Sequence, residues 1–323
     1  MRKELAISAV MALAAAACLA DDSGFSFLRL PLAPRATAMG EAVTAMADDA
    51  SGPAYNPAGL ALVRTRTASA GYLSYVAGIQ AGRLGYLHPW RGKGTAGIAL
   101  SYLNSGNITE TTLDMPTGTG NEFSYSTAVL ALSYGRGLSP QLFAGATVKG
   151  VYEKVQEYTA SAAAVDLGAI YEVDLEAVSA RMFKSPRPRS LGTSLALGAS
   201  VQNLGAAADA FVDVKEKLPL TVRLGMAYRP FLNRVSLALA GVKTSDSPAK
   251  LQAGLEFWMR GLLALRAGYN GTQADIKNGS SIDDLSGFAC GLGVKYRGYS
   301  VNSAYTPFAG LGHPLRFELA AEF

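Results

Sequence analysis

The sequence predicts an all-β chain: a fourteen-stranded antiparallel transmembrane β-barrel with an N-terminal hatch containing short helices. Three observations carry that expectation. Segment after segment alternates large apolar residues with small or polar ones. Only 17% of the 323 residues are charged, against roughly 25% in ordinary soluble domains. The chain also stops on an aromatic residue, Phe323, at the end of an alternating strand. Composition excludes as well. Two cysteines, Cys18 and Cys290, and two histidines, His88 and His313, leave too little for a disulfide scaffold or a zinc site. Neither a metal nor any other cofactor is expected. The formal net charge of +4 is scattered along the chain and offers no basic groove for nucleic acid.

Residues 1–20 read as a signal peptide, with Arg2 and Lys3 leading an apolar run from Leu5 to Leu19 and small residues up to Ala20. That run is short of the roughly 20 residues of a membrane helix. Ala15-Ala16-Ala17-Cys18 loosely resembles a lipoprotein cleavage box, so two processing routes are open. Cleavage after Ala20 would remove Cys18 and leave Cys290 without a disulfide partner.

Residues 21–64 do not alternate and are expected to plug the lumen. Met39, Val43 and Met46 recur at helical spacing, which predicts an amphipathic helix across Ala36–Ala47. Asn56 followed by Pro57 is a helix-start signal: the amide side chain accepts a backbone N–H and proline fixes the first turn. Asn56, Pro57 and Ala58 together form a tight-turn motif expected to anchor the hatch rather than to bind a ligand. Phe25, Phe27, Leu28, Leu30 and Leu32 would contact a hydrophobic ligand if they face the lumen, and would pack the hatch otherwise.

Residues 65–323 are expected to form the wall. Alternating strands fall at about 66–76, 79–88, 94–104, 123–134, 140–153, 159–173 and 191–203 in the first half. The second half supplies 219–229, 233–243, 249–258, 262–270, 286–296, 298–306 and 314–323. Most have the roughly 9–11 residues that cross a bilayer at the usual barrel tilt. The polar faces are mostly Gly, Ala, Ser and Thr, too poor in charge for the solvated face of a β-sandwich or propeller. Loops expected on the outer side are 104–122, 153–159, 203–218, 243–249, 271–285 and 306–313, against short inner turns, with a tight outer turn at Ala77-Gly78 and a long basic inner loop at about 174–190 as exceptions. In this phase Trp90, Tyr134, Tyr171, Tyr228, Trp258, Tyr296, Tyr299 and Phe323 fall at inner strand ends, as an interfacial girdle. Charged lumen candidates are Lys149, Arg223, Arg266, Lys295, Asp166 and Glu256, expected to pair the wall with hatch residues such as Arg35, Asp48 and Asp49. Lumen-facing Gly225 is expected to tolerate serine. Leu315, Phe317, Leu319, Ala321 and Phe323 alternate with Arg316, Glu318, Ala320 and Glu322, an ending that resembles the strand by which barrel assembly machinery recognises its clients.

Several stretches also resemble the PorV/PorQ family of outer-membrane proteins, relatives of the FadL long-chain fatty-acid transporters. The N-terminal ones are Phe27-Leu28, Arg35 to Ala42, Asp48-Asp49-Ala50 and Tyr55-Asn56-Pro57-Ala58-Gly59-Leu60. Weaker ones are Ser200 to Gly205, Leu218-Pro219 with Arg223 and Gly225, Arg266 to Tyr269, and Tyr305 to Phe308 with Leu311-Gly312. The resemblance spans essentially the whole mature chain and implies a fourteen-stranded barrel with an N-terminal hatch, integral to the outer membrane. It implies two roles that the sequence does not separate: a type IX secretion accessory, with secreted proteins or secretion components as partners, or a FadL-like channel for hydrophobic small molecules such as long-chain fatty acids. A purely structural outer-membrane protein is the third reading. Outer-membrane lipid and the assembly machinery are partners under all three. An enzyme is not expected, since no Gly-x-Ser-x-Gly elbow is present and the two histidines belong to opposite strand ends.

Overall fold

The computed structural model describes residues 23–173, 194–209, 211, 216–230, 234–274, 285–308 and 312–323. The signal-peptide reading of residues 1–20, with Cys18, and the basic loop expected at about 174–190 lie outside the described residues.

In chain order the strands are β1 (Thr67–Ser74), β2 (Gln80–Trp90), β3 (Gly94–Asn104), β4 (Ile108–Thr109), β5 (Glu122–Phe123), β6 (Tyr125–Gly137), β7 (Leu142–Val155) and β8 (Tyr158–Val173). They continue with β9 (Ser194–Asp209), β10 (Thr221–Arg229), β11 (Val235–Thr244), β12 (Ser247–Met259), β13 (Leu263–Asn270), β14 (Phe288–Tyr296), β15 (Tyr299–Tyr305) and β16 (Leu315–Glu322). Fourteen of them close into one antiparallel barrel in chain order, while β4 and β5 form a separate ribbon inside the connection from β3 to β6. Closure joins the two ends of the wall: β1 pairs with β16 from Thr67 opposite Glu322 to Ser74 opposite Leu315.

Alternation decides which way each side chain faces, because successive strand residues point to opposite sides. Leu224, Met226 and Tyr228 are exposed on β10, whereas Arg223 and Ala227, of the opposite parity, are buried in the lumen. The same split recurs around the wall, leaving an outer belt of exposed leucine, phenylalanine and tyrosine. Water would penalise so large an apolar surface; lipid does not. The one free cysteine among the described residues, Cys290, lies on this outer side, exposed.

Several expectations need correction. The helix predicted over Ala36–Ala47 is only Pro34–Ala38, because Gly40 and Glu41 take left-handed φ angles of 60° and 63° that end it. Met39, Val43 and Met46 are nonetheless all buried in the same apolar cluster. Trp258 does not join the girdle: it shares the inward parity of Gln252 and Glu256, and its ring lies under Arg266 at 5.6 Å. The loops expected at 153–159 and 243–249 shrink to turns at Gln156-Glu157 and Ser245-Asp246, since β7, β8, β11 and β12 run on into them. Likewise β9 continues to Asp209, past the predicted end at 203.

We call the rim where β1 begins and β16 ends the lower rim, and the opposite one the upper. Residues 23–66 traverse the lumen from upper to lower. Ser23 bridges to Lys217 near the upper rim. A 3-10 turn at Ser26–Arg29 follows, then the helix Pro34–Ala38 against β13 to β16, a second 3-10 turn at Gly52–Ala54, and a third at Pro57–Leu62 against β3 and β6 to β8. The lower half of the barrel is thereby filled. Met39 and Leu60 are fully buried there.

Candidate functional site

Two structures occupy the lumen: a clasp that fixes the hatch to the lower wall, and a cavity above it. The clasp centres on Arg35, whose Nη1 reaches Asp48 at 2.6 Å and Asp49 at 3.1 Å, while Nε meets Glu256 of β12 at 3.0 Å. Glu256 is shared with Arg266 of β13 at 2.7 Å, and Arg229 of β10 takes the other Asp48 oxygen at 3.0 Å. Burial alone would lower the pKa of Arg35, but Glu256, Asp48 and Asp49 outweigh it and hold the guanidinium well above its ordinary value. Burial pushes Asp49 up in turn; Arg35 and hydrogen bonds from Ser51 overcome that and leave it lowered. The clasp is therefore charged on both sides at neutral pH.

Asn56 is the second fastening. Its Oδ1 accepts the Ala58 N–H at 3.1 Å, starting the Pro57–Leu62 turn. Its Nδ2 donates to the carbonyls of Thr44 at 2.8 Å, Ala169 at 3.1 Å and Ala199 at 3.3 Å, the last two belonging to adjacent wall strands. So close an approach requires glycine on the wall: a methyl group at Gly168 would fall on the Asn56 side chain. Gly225 faces Thr44 in the same way, so serine there would press on the hatch, contrary to the tolerance expected from sequence.

Above the hatch lies a cavity of about 470 Å³. Its roof is the strap from Ser26 to Ala33, and its floor includes Ala50, Pro53, Ala54 and Tyr55 of the hatch. The lining divides by chemistry. Phe27, Leu28, Leu30, Leu32, Tyr75 and Phe308 supply apolar surface near the upper rim. Lys149, Gln202, Asn203, Arg223 and Gln252 supply polar surface at mid-barrel. Phe25 does not line it and packs instead with Leu73, Leu103 and Leu218.

The lumen charges expected from sequence do not form one network. Lys149 of β7 pairs with Asp166 of β8 at 2.6 Å and donates to Asn203 at 2.9 Å, so this pair is wall to wall. Asp166 sits at a register shift between β8 and β9, where Asn203 has a left-handed φ of 60° and donates its N–H to Asp166 at 2.8 Å. Arg223 donates to Gln202 at 2.9 Å, lies 3.6 Å from Glu41 of the hatch, and stacks over Tyr55 at 5.3 Å. Lys295 pairs with Glu322 at the lower rim, away from the cavity. Sequence reasoning missed Glu41, Gln202, Asn203, Gln252 and Asn270. Gln202, Gln252 and Asn270 carried a usable signal, the inward parity of their own strands, whereas Asn203, next to Gln202, faces inward only through the bulge. Glu41 carried none. Its Oε1 accepts from Asn270 at 2.6 Å, and burial raises its pKa, opposed by Arg223 and Arg316.

No family model matches the chain, and no curated protein matches it. Solved structures do. The CymD monoaromatic hydrocarbon channel superposes with a TM-score of 0.57 at 13% identity, covering 90% of this chain and 97% of that one. The Ralstonia pickettii toluene transporter TbuX gives 0.57 at 11%, covering 90% and 98%. A Pseudomonas aeruginosa FadL homologue gives 0.51 at 13%, covering 91% and 98%. At such identities the likeness speaks for the backbone: this chain has the fold of the FadL-like barrels.

Proposed function

We propose that this chain is an integral outer-membrane channel for hydrophobic or amphipathic small compounds. One observation carries the reading: a plugged barrel holds a cavity of about 470 Å³ with an apolar roof and a polar belt at mid-barrel, where Lys149, Arg223 and amide side chains line it. That volume falls in the range of small-molecule sites. A long-chain fatty acid suits the division, with its tail under Phe27, Leu28, Leu30 and Leu32 and its carboxylate toward Lys149 and Arg223. Support for transport comes from the shared fold with proteins described as hydrocarbon channels and a toluene transporter. Support for the membrane comes from the exposed apolar belt and the aromatic rim. In this reading the lower rim faces the periplasm. The test is binding of a fluorescent fatty acid to the purified barrel, with uptake in cells carrying or lacking the gene. Absence of both binding and uptake removes the proposal.

The second reading, a type IX secretion accessory, is favoured by the PorV/PorQ-like residues from Tyr55 to Leu60, which fasten the hatch. Its test is the paired phenotype. Secreted proteins stranded in the periplasm with sorting signals uncleaved, and normal uptake of hydrophobic compounds, would replace the channel reading with this one.

A further inference from the structure

The chain that crosses the lumen is fastened differently along its length. From Ala33 to Val63 it is fixed by the Arg35 clasp, by Asn56 and by fully buried Met39 and Leu60. From Ser23 to Leu30 it is held by Phe25 and Phe27, both buried against the wall, and by a few polar fastenings at the upper rim. Gly24 N–H donates to the Lys217 carbonyl at 3.0 Å, and Arg29 Nη1 meets Asp246 Oδ2 at 2.7 Å in the β11–β12 turn. The Ser23 hydroxyl shares that carboxylate oxygen. Between the two regimes stands Pro31, whose carbonyl accepts from Nε of fully buried Arg316 at 2.7 Å.

We propose that Ser23–Leu30 is a displaceable lid over the upper mouth, hinged where Arg316 grips Pro31 and latched by Arg29 on Asp246. The proposal rests on the cavity being a ligand site, and three features support it. The lid's own structure is one four-residue 3-10 turn with no side-chain cap, entered through Phe25 at a left-handed φ of 53°. Such a turn contributes little rigidity of its own. Its latch is solvated at the Arg29 end, 38% exposed against 11% for Asp246, and an ion pair with one end in water holds less firmly than a buried one. Its lower face presents Leu28 and Leu30 half-buried to the cavity, so a hydrophobic ligand would meet apolar surface as it displaces the lid. The hatch fills the lower half of the barrel, which makes the upper mouth the route by which the cavity fills.

The experiment reads the lid without assuming a ligand. In a Cys290→Ala background, Ser101→Cys places a thiol on the cavity wall. Labelling by a membrane-impermeant thiol reagent is followed on intact cells, with the Cys290→Ala parent giving the background. Slow labelling is expected, rising about fivefold when Arg29→Ala removes the latch and staying slow in Arg29→Lys. Unchanged labelling in Arg29→Ala overturns the lid, as does unhindered labelling of Ser101→Cys with the latch intact. In parallel, Ser23→Cys with Asp246→Cys locks the lid by a disulfide in the purified barrel. N-phenylnaphthylamine should enter the reduced form at least about fivefold faster than the oxidised form; entry that is measurable and equal in the two forms also overturns the lid. If labelling responds as expected but no hydrophobic probe binds in any form, the lid stands and the channel reading falls.

Discussion

Arg35 clasps Glu256 through two parallel hydrogen bonds, Nε to Oε2 at 3.0 Å and Nη2 to Oε1 at 3.1 Å, joining residues 221 positions apart. Glu256→Gln would leave Arg35 and Arg266 facing each other with no charge between them. Breaking one side of a buried pair costs about 3 kcal/mol. Hydrogen exchange should quicken across the hatch from Pro34 to Leu62, while the barrel strands keep their protection. Equal protection in variant and parent would mean that Asp48 and Asp49 alone suffice to hold Arg35.

Asn56→Ala removes a cap and three donations to carbonyls at once, and should loosen the hatch by about 2 kcal/mol. The expected readout is greater leakage of small antibiotics into cells with barrel assembly intact. Asn56→Asp should be at least as damaging, since it keeps the cap for Ala58 but turns a carboxylate toward the Thr44, Ala169 and Ala199 carbonyls. If Asn56→Ala weakens ligand binding with no rise in leakage, Asn56 is a binding residue.

Gly168→Ala should lower the melting temperature more than Gly225→Ser. A methyl group at Gly168 lands on Asn56, which is held by four hydrogen bonds, whereas Thr44 beside Gly225 makes no side-chain hydrogen bond among the described residues. Overpacking of this kind costs about 1–3 kcal/mol. The reverse order, measured by thermal unfolding in detergent, would contradict the contact scheme.

On the outer wall, Leu224→Arg or Leu292→Arg should impair assembly, because both side chains are about half exposed in the apolar belt. An arginine there costs roughly 2–4 kcal/mol near the bilayer midplane. Outer-membrane fractions probed on unheated gels should contain less of the fast-migrating folded form. Normal yields would indicate that this face does not meet lipid.

Glu41 sets a pH dependence. Burial raises its folded-state pKa above the ordinary carboxylate value, so the folded protein holds its proton at pH values where the unfolded chain has lost it. Stability from this group is present below the unfolded pKa and declines as pH rises through the folded one. Glu41→Gln mimics the protonated form and should stabilise the hatch at pH 8 while changing little at pH 4. A destabilising effect at pH 8 would mean that the Arg223 contact outweighs the burial cost.

The wall was legible because period-2 alternation is a local property: each strand declares its two faces whatever its neighbours do. Trp258 is the instructive failure. Residue type suggested a rim aromatic, while its parity with Glu256 had already placed it inside. The turn at Asn56 was legible for the same local reason, an amide before proline. Hatch contacts were not, because Arg35 meets Glu256 only through the path the chain takes across the lumen. The bulge opposite Asp166 was invisible too: β9 sets two residues, Gln202 and Asn203, against one of β8, and nothing in their types marks the extra one.

The seam between β1 and β16 joins the two ends of the wall where the hatch leaves it. The chain leaves the hatch at Val63 and enters the wall at Thr67, so the first strand begins beside a plug that spans the barrel. The eight paired positions from Thr67–Glu322 to Ser74–Leu315 therefore close the wall beside the segment that fills it.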